Sequence, residues 1–270
     1  MFPNPLEIGH MNVIQIQPEL FLFIGKTYQS NSTIFLNSDE ALLVDALGSR
    51  SDAEELRSFV EQDLKKEVRF IISTHYFSDH IAAIKSFPRA CVIAHENYLE
   101  TFNSEQYRTD EEASHFVEPH LLVSDSLKIK WGTFTLNTSH NPGHTNSTLA
   151  IDVPEANLLF VGDTLVGNIV YLKYSTPDRF VTALDNLKQK SADRRLLSSH
   201  GNVRSTDAIG NAQSYLARLG GRVGEVGFNE SLLNIQLDDV LPAGVEPTSF
   251  ERIFHQRNLE TVLERRLFER

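Results

Sequence analysis

Cysteine, tryptophan and positive charge are scarce in this chain of 270 residues: one Cys, one Trp, and 25 Lys and Arg against 36 Asp and Glu. The lone cysteine, Cys91, excludes an internal disulfide. It falls in the apolar run "ACVIA", where a small buried side chain is expected rather than a reactive thiol. A formal net charge of −11 excludes the clustered basic excess that neutralising a phosphate backbone needs, so nucleic acid is not an expected partner. No apolar run approaches the roughly 18 residues that cross a bilayer, so no membrane role is expected. The first residues, "MFPNPLEIGHMNVIQIQPELFLFIG", lack a basic start followed by an apolar stretch and a small-residue cleavage site, and a cytoplasmic location is the expectation.

What is present is globular. Hydrophobic residues make up 41% and charged residues 23%, and the length suits one large domain over residues 1–270. "LFLFIG", "NSTIFLN" and "EALLVDA" read as consecutive strands, with "NSDE" as a turn between the last two. Ser51 and Glu54 have capping-box spacing for a first helix carrying Leu56, Phe59 and Val60. The apolar strand "VRFIIST" follows and ends at His75, and "SDHIAAIKSF" reads as a helix before the strand "ACVIAHE". Residues 97–124 are irregular and rich in Glu, His and Tyr, which predicts a helical excursion and a candidate lid. Four strands come next, "LKIKWG", "FTLNTS", "STLAIDV" and "NLLFVGD". The helix "PDRFVTALDNLKQK" then puts Phe180, Val181, Leu184 and Leu187 on one side. Strand "RRLLSSH" and helix "DAIGNAQSYLARL" follow, and Thr248 with Glu251 predicts a capping box opening a last helix.

Metal-ligand residue types stand after the strong apolar strands: His75, Asp79 and His80 after "FII", His144 in "NPGHT", Asp163 in "LLFVGDT" and His200 in "LLSSHGN". Sheet ends are where open-sheet folds gather their sites. A histidine in such a place is often only a hydrogen-bonded loop residue, and an Asp before Thr only a helix cap. Six in order, each at such a junction, carry more weight than any one.

With these residues the sequence resembles the metallo-β-lactamase-fold hydrolases, which include glyoxalase two, lactonases and many esterases. The resemblance runs over almost the whole chain. The first motif, HxHxDH, stands as His75-Tyr76-Phe77-Ser78-Asp79-His80, the third-motif histidine as His144, the bridging carboxylate as Asp163 and the last histidine as His200. "FHQRNLETVLERRL" is similar to the C-terminal HxxN helix of glyoxalase-like members, with His255 and Asn258 in a structural role. The resemblance implies an α/β fold, an αββα four-layer sandwich, with the metals at one edge. It also implies one metal on the first two histidines and the third-motif histidine, a second on Asp79, His80 and His200, and Asp163 between them.

One position departs from the pattern: Phe77 stands where the second histidine belongs, and a phenyl ring offers no donor atom. Three readings follow. Asp79, His80, His200 and Asp163 remain complete, enough for a hydrolase with one dominant metal, zinc first, whose activated water attacks an ester, thioester, lactone or related carbonyl. Alternatively His75, His144 and Asp163 are the two-His-one-carboxylate set that suits iron and oxygen chemistry, similar to the persulfide dioxygenases. A degenerate, non-catalytic member is the third reading, and manganese is a further candidate ion. Asp79 and His80 are the expected catalytic pair. Tyr76, Phe77, Asn168 and Tyr171 are the expected substrate contacts, with Lys173 beside them and His140 as a support for His144. The expected partner is a small molecule, and the sequence leaves the oligomeric state open, a homodimer included.

Overall fold

The computed structural model describes residues 6–8, 11–106, 108–191 and 194–269. Its strands are β1 (Leu6–Ile8), β2 (Met11–Gln17), β3 (Leu20–Ile24), β4 (Asn31–Asn37), β5 (Glu40–Val44), β6 (Glu67–Ile72), β7 (Cys91–His95), β8 (Leu121–Val123), β9 (Ser126–Trp131), β10 (Phe134–His140), β11 (Leu149–Val153), β12 (Leu158–Gly162) and β13 (Arg195–Ser198). The first eight form one sheet in sequence order, antiparallel up to β5 and parallel from β5 to β8. The remaining five form a second sheet, β13-β12-β11-β10-β9, in which only the β12–β13 pair is parallel. The helices are α1 (Arg50–Ser58), α2 (Tyr98–Ser104), α3 (Asp110–Ala113), α4 (Pro177–Lys190), α5 (Asp207–Val226), α6 (Leu237–Val240) and α7 (Ser249–Arg265).

Strand alternation makes the layers, because successive side chains point to opposite faces. Leu20, Leu22, Phe35, Leu42 and Ile72 face the second sheet and meet Leu136, Ile151, Phe160 and Leu197. Their neighbours Phe21, Phe23, Ile34, Leu43 and Ile71 face outward and are covered by Leu56 and Val60 of the α1 segment. Leu159, Val161 and Leu196 point out of the second sheet, under Leu184 of α4, Leu216 of α5 and Leu259 of α7. The result is helix, sheet, sheet, helix, the αββα order that the family resemblance implies. No helix among the described residues is long and apolar enough to cross a membrane.

Three local expectations are corrected. The first helix is capped by Ser49, whose Oγ accepts from the Asp52 N–H at 3.2 Å, so Ser51 lies inside the helix. In α4 the buried row is Phe180, Ala183, Leu184 and Leu187, and Val181 is exposed. Residues 78–87 form no α-helix, only two 3-10 turns, Ser78–His80 and Ile84–Ser86. Their backbone bonds across to the β5–α1 connection instead: Ala46 N–H donates to His80 O, Ala82 N–H to Leu47 O, and Ala83 N–H to Ala46 O. The second capping box is present as read, with Thr248 and Glu251 bonding reciprocally at the start of α7.

Candidate metal centre

The strand ends bring the predicted ligands to one edge of the two sheets. His75 follows β6, Asp163 follows β12 and His200 follows β13, while His144 lies in the connection from β10 to β11. His75, His80, His144, Asp163 and His200 are all buried. Asp163 Oδ2 is the meeting point: His200 Nε2 lies 3.0 Å from it, His80 Nε2 3.5 Å and His75 Nε2 3.8 Å. Asp79 joins from the side, 3.3 Å from His80 Nε2 and 3.7 Å from His200 Nε2. Two groups therefore have ligand atoms close enough to share an ion: His75, His80 and Asp163, and Asp79, His80 and His200. His144 stands one ring away, its centroid 5.2 Å from that of His75.

The donor set fits a cation. His75 Nε2, both nitrogens of His80, both of His144 and Asp163 Oδ1 are buried without a hydrogen-bond partner among the described residues. Buried polar atoms are almost always paired, and each unpaired one costs about 1–3 kcal/mol. An ion on these atoms removes that cost. Without it, burial strips water from His75 and His144 and holds both imidazoles neutral, His75 well below its ordinary pKa and His144 at about 4. Burial works the same way on His80, but the Asp79 and Asp163 carboxylates beside it prevail and raise it to about 10. Burial would likewise raise Asp163, yet His200 and His80 hold its carboxyl well below the usual range.

The pattern of the metallo-beta-lactamase superfamily matches residues 25–200, which hold all six of these side chains. This chain belongs to that superfamily. It is 24% identical over 224 residues to the acyl-coenzyme A thioesterase MBLAC2 of Homo sapiens, covering 71% of this chain and 80% of that protein. It is 30% identical over 139 residues to a hydroxyacylglutathione hydrolase of Bartonella henselae, half of this chain and 49% of that protein's length. The solved structure of a metallo-beta-lactamase from Pontibacter korlensis shares the fold, with a TM-score of 0.65, 19% identity, and coverage of 77% of this chain and 99% of that one.

Around this superfamily core, a buried set of side chains aims the histidines. Asp45, immediately after β5, accepts from Thr74 N–H at 2.7 Å, from Thr74 Oγ1 at 2.9 Å and from Ser199 Oγ at 2.7 Å. The Thr74 hydroxyl has one proton, and once that goes to Asp45 its oxygen is left to accept from His75 Nδ1–H, 3.2 Å away. His75 is thereby held as the tautomer with Nε2 free to ligate. His200 is oriented in the same way by its Nδ1, 2.9 Å from Tyr28 O. Asn31 ties β4 to the His200 loop, its Nδ2 donating to Ser198 O and Gly201 O at 2.8 Å.

Residues 97–124, the expected excursion, include α2, α3 and β8; they grip the first-motif loop and bring Glu105, Thr109 and Glu112 to the cleft. Glu105 accepts from Ser78 N–H at 3.1 Å and Ser78 Oγ at 2.8 Å, His115 Nδ1 lies 3.0 Å from Ser78 O, and the Tyr76 hydroxyl donates to Val117 O. Tyr76 is therefore corrected from a substrate contact to a core residue, fully buried against Tyr98 and Phe116. Asn168 is corrected too: its N–H and Nδ2 both donate to Glu251 Oε1 and its Oδ1 accepts from Asn211, so it does not line the cleft. His140 stacks on His95 and bonds Asn146 O, and the His144 nitrogens take no hydrogen bond from it. Cys91 is half-buried.

Phe77 and Tyr171 do line the cleft, a cavity of about 620 Å³ that opens over His144, Asp163 and His200. The Phe77 ring meets both His75 and His144 edge-on at 5.3 Å, so it fills the space between the two first-set histidines. Tyr174 packs on it at 4.6 Å. The loop carrying Tyr171 and Tyr174 is pinned by α7: Asn258 accepts from Leu172 N–H and donates to Val170 O, and Arg265 donates to Leu172 O and Ser175 O. His255 bonds the Tyr215 hydroxyl and Ile235 O, so both residues of the HxxN helix are structural. Sequence reading missed Asp45, Glu105 and Tyr174. Asp45 follows "EALLV" in the same strand-end position that singled out Asp163, so the same signal was available for it.

Proposed function

We propose that this chain is a metal-dependent hydrolase acting on an ester, thioester, lactone or related bond of a small molecule, with one dominant ion, zinc, held by Asp79, His80, His200 and Asp163. One observation carries the reading: His80 and His200 converge on a single Asp163 oxygen beside Asp79, with ligand nitrogens and oxygens left without other partners. An ion there would supply a water acidified toward neutrality and polarise the carbonyl oxygen. The chain's own residues do the rest. Asp163 keeps its carboxylate ionised beside His200 and His80, Thr74 and Asp45 fix His75, Tyr28 O fixes His200 through its Nδ1–H, and Glu105 with His115 fixes the turn bearing Asp79. Phe77 and Tyr174 form a dry wall against which an acyl group can pack, which favours a substrate apolar on that side. Thioester hydrolysis by the human and Bartonella relatives, as their names state, supports a carbonyl substrate.

The test is metal analysis of protein purified without added metal, alongside His80→Ala and His75→Ala variants and an ester-hydrolysis assay. Loss of metal and hydrolysis in His80→Ala is the expected result. Metal retained in His80→Ala but lost in His75→Ala would overturn it and favour iron on His75, His144 and Asp163.

A further inference from the structure

The cleft wall has a charge pattern of its own. Leaving aside Asp79 and Asp163, which an ion would neutralise, its charged lining residues are Glu105, Glu112, Glu260 and Glu264 against only Lys173 and Arg257. One of the cations is paired with a carboxylate, and the other has neutral partners that leave its charge in place. Lys173 Nζ lies 3.4 Å from Glu264, and Arg257 sits 5.3 Å over the Phe254 ring and hydrogen-bonds Tyr171. Glu105 and Glu112 face inward: Glu105 accepts from Ser78 and has Arg108 Nη1 4.0 Å away, and Glu112 accepts from Thr109. Glu260, at the mouth, has no ion-pair partner among the described residues. Below the mouth the wall is aromatic: Phe77 on Tyr174 at 4.6 Å, Tyr174 on Tyr171 at 6.0 Å, and Tyr171 on Phe254 at 4.8 Å. The deepest of these rings, Phe77, stands against buried His144, whose two nitrogens are unpartnered.

We infer that the cleft takes an acyl substrate whose acyl group is aryl or branched alkyl, packed on Phe77 and Tyr174, and whose leaving group is uncharged or cationic, and that it turns away polyanionic thiol carriers. This deepens the hydrolase reading and rests on it for the scissile bond. A carrier with several phosphates or carboxylates would have to enter a cleft whose lining, Asp79 and Asp163 aside, sets four carboxylates against two cations, and like-charge juxtaposition in a cleft raises the energy of the encounter. A neutral thiol meets no such barrier, and a quaternary ammonium gains from the carboxylates and the aromatic faces.

The test uses the full chain loaded with zinc and one acyl group, phenylacetyl, on four thiols: thiocholine, 2-mercaptoethanol, glutathione and coenzyme A. Each kcat/KM is divided by the rate of the same thioester with hydroxide, which removes leaving-group reactivity. We expect the cationic and neutral thioesters to lead the glutathione and coenzyme A thioesters by about 10-fold or more at low salt, with the gap closing as ionic strength rises. Glu260→Lys is expected to raise the coenzyme A rate about 3- to 10-fold. Equal or faster turnover of the coenzyme A or glutathione thioester overturns the inference and leaves the hydrolase reading standing. Calorimetric titration with the matching S-phenethyl thioethers, which cannot be hydrolysed, separates the two ideas. If all four thioesters are inert but the thiocholine and mercaptoethanol thioethers bind and the coenzyme A one does not, the hydrolase reading fails and the inference holds. Failure of the cationic and neutral thioethers to bind overturns the inference.

Discussion

Replacing Phe77 by histidine asks whether that ring alone limits the first half of the site. The phenyl group is 5% exposed and stands 5.3 Å from both His75 and His144, centroid to centroid. An imidazole in that space would put a nitrogen among His75 Nε2 and the two free nitrogens of His144, and complete a three-histidine set next to Asp163. In the metal-free protein the change is unfavourable. It forfeits part of the roughly 1.5–3 kcal/mol gained by burying a phenylalanine, and adds a buried imidazole with unpaired nitrogens at about 1–3 kcal/mol. A net loss of about 3 kcal/mol lowers the melting temperature by roughly 6–12 °C for a chain of this size. Zinc at about 100 times its dissociation constant returns about 2.7 kcal/mol. The variant is therefore expected to melt well below the parent when metal-free and close to it with excess zinc, and elemental analysis should show the zinc content rising from near one to near two per chain. The reasoning is refuted if Phe77→His keeps the parent's stoichiometry and regains no stability with zinc, for then something other than the missing donor limits the first site.

Other perturbations separate ligands from the groups that hold them. Asp45→Ala removes three buried hydrogen bonds and releases the tautomer of His75; zinc affinity is expected to fall about 10- to 100-fold in a chelator competition, with the far-ultraviolet spectrum unchanged. Ser78→Ala leaves Glu105 with one donor fewer in a buried place, so denaturant melts should show about 1–2 kcal/mol lost and kcat should fall more than KM changes. Gly167→Ala puts a Cβ 2.1 Å from Glu251 Oε1 at a φ of +67°, which breaks the Glu251 bonds to Asn168; a loss of about 2–4 kcal/mol is expected, readable in the same melts. His95 accepts from Asn97 N–H at Nδ1 and bonds Ser124 O through Nε2, so only the neutral ring fits, and burial with His140 beside it lowers its pKa below the ordinary 6.5. The folded chain then binds this proton less readily than the unfolded one, so the stability it contributes is present above pH about 6.5 and is lost as pH falls below it. His95→Gln is expected to flatten that acid-side loss between pH 7.5 and 5.5, and an unchanged slope would contradict the assignment.

Much of this architecture could be read because the strands are regular. In "LFLFI" the residues Leu20 and Leu22 turn to one face and Phe21 and Phe23 to the other, and both faces are buried, which is why the run is apolar throughout. Where regular structure ends, the sequence says less. "SDHIAAIKSF" looks helical in composition, yet Ile81, Ala82, Ala83 and Ile84 are all buried, so no polar face exists to mark a helical period. Their backbone groups are satisfied by Ala46 and Leu47, residues more than 30 positions away, and local propensity cannot anticipate that.

The same limit explains why Tyr76 and Phe77 looked equivalent. Phe77 has extended backbone, φ −79° and ψ 153°, so its neighbour's side chain leaves on the other side. One of the pair had to face the ligands and one the core, and composition does not choose between two aromatic rings. The choice follows from what waits on each side: Tyr98, Phe116 and the Val117 carbonyl offer the tyrosine both packing and an acceptor for its hydroxyl. The other side offers imidazole edges and Tyr174. A phenol placed there would bring its own donor against His144 nitrogens that are otherwise free for a cation, whereas a phenyl ring leaves them free. Phe77 thus withholds a ligand while keeping the remaining ones dry and uncommitted, and an ion bound there rests on the histidines and carboxylates that still offer donors.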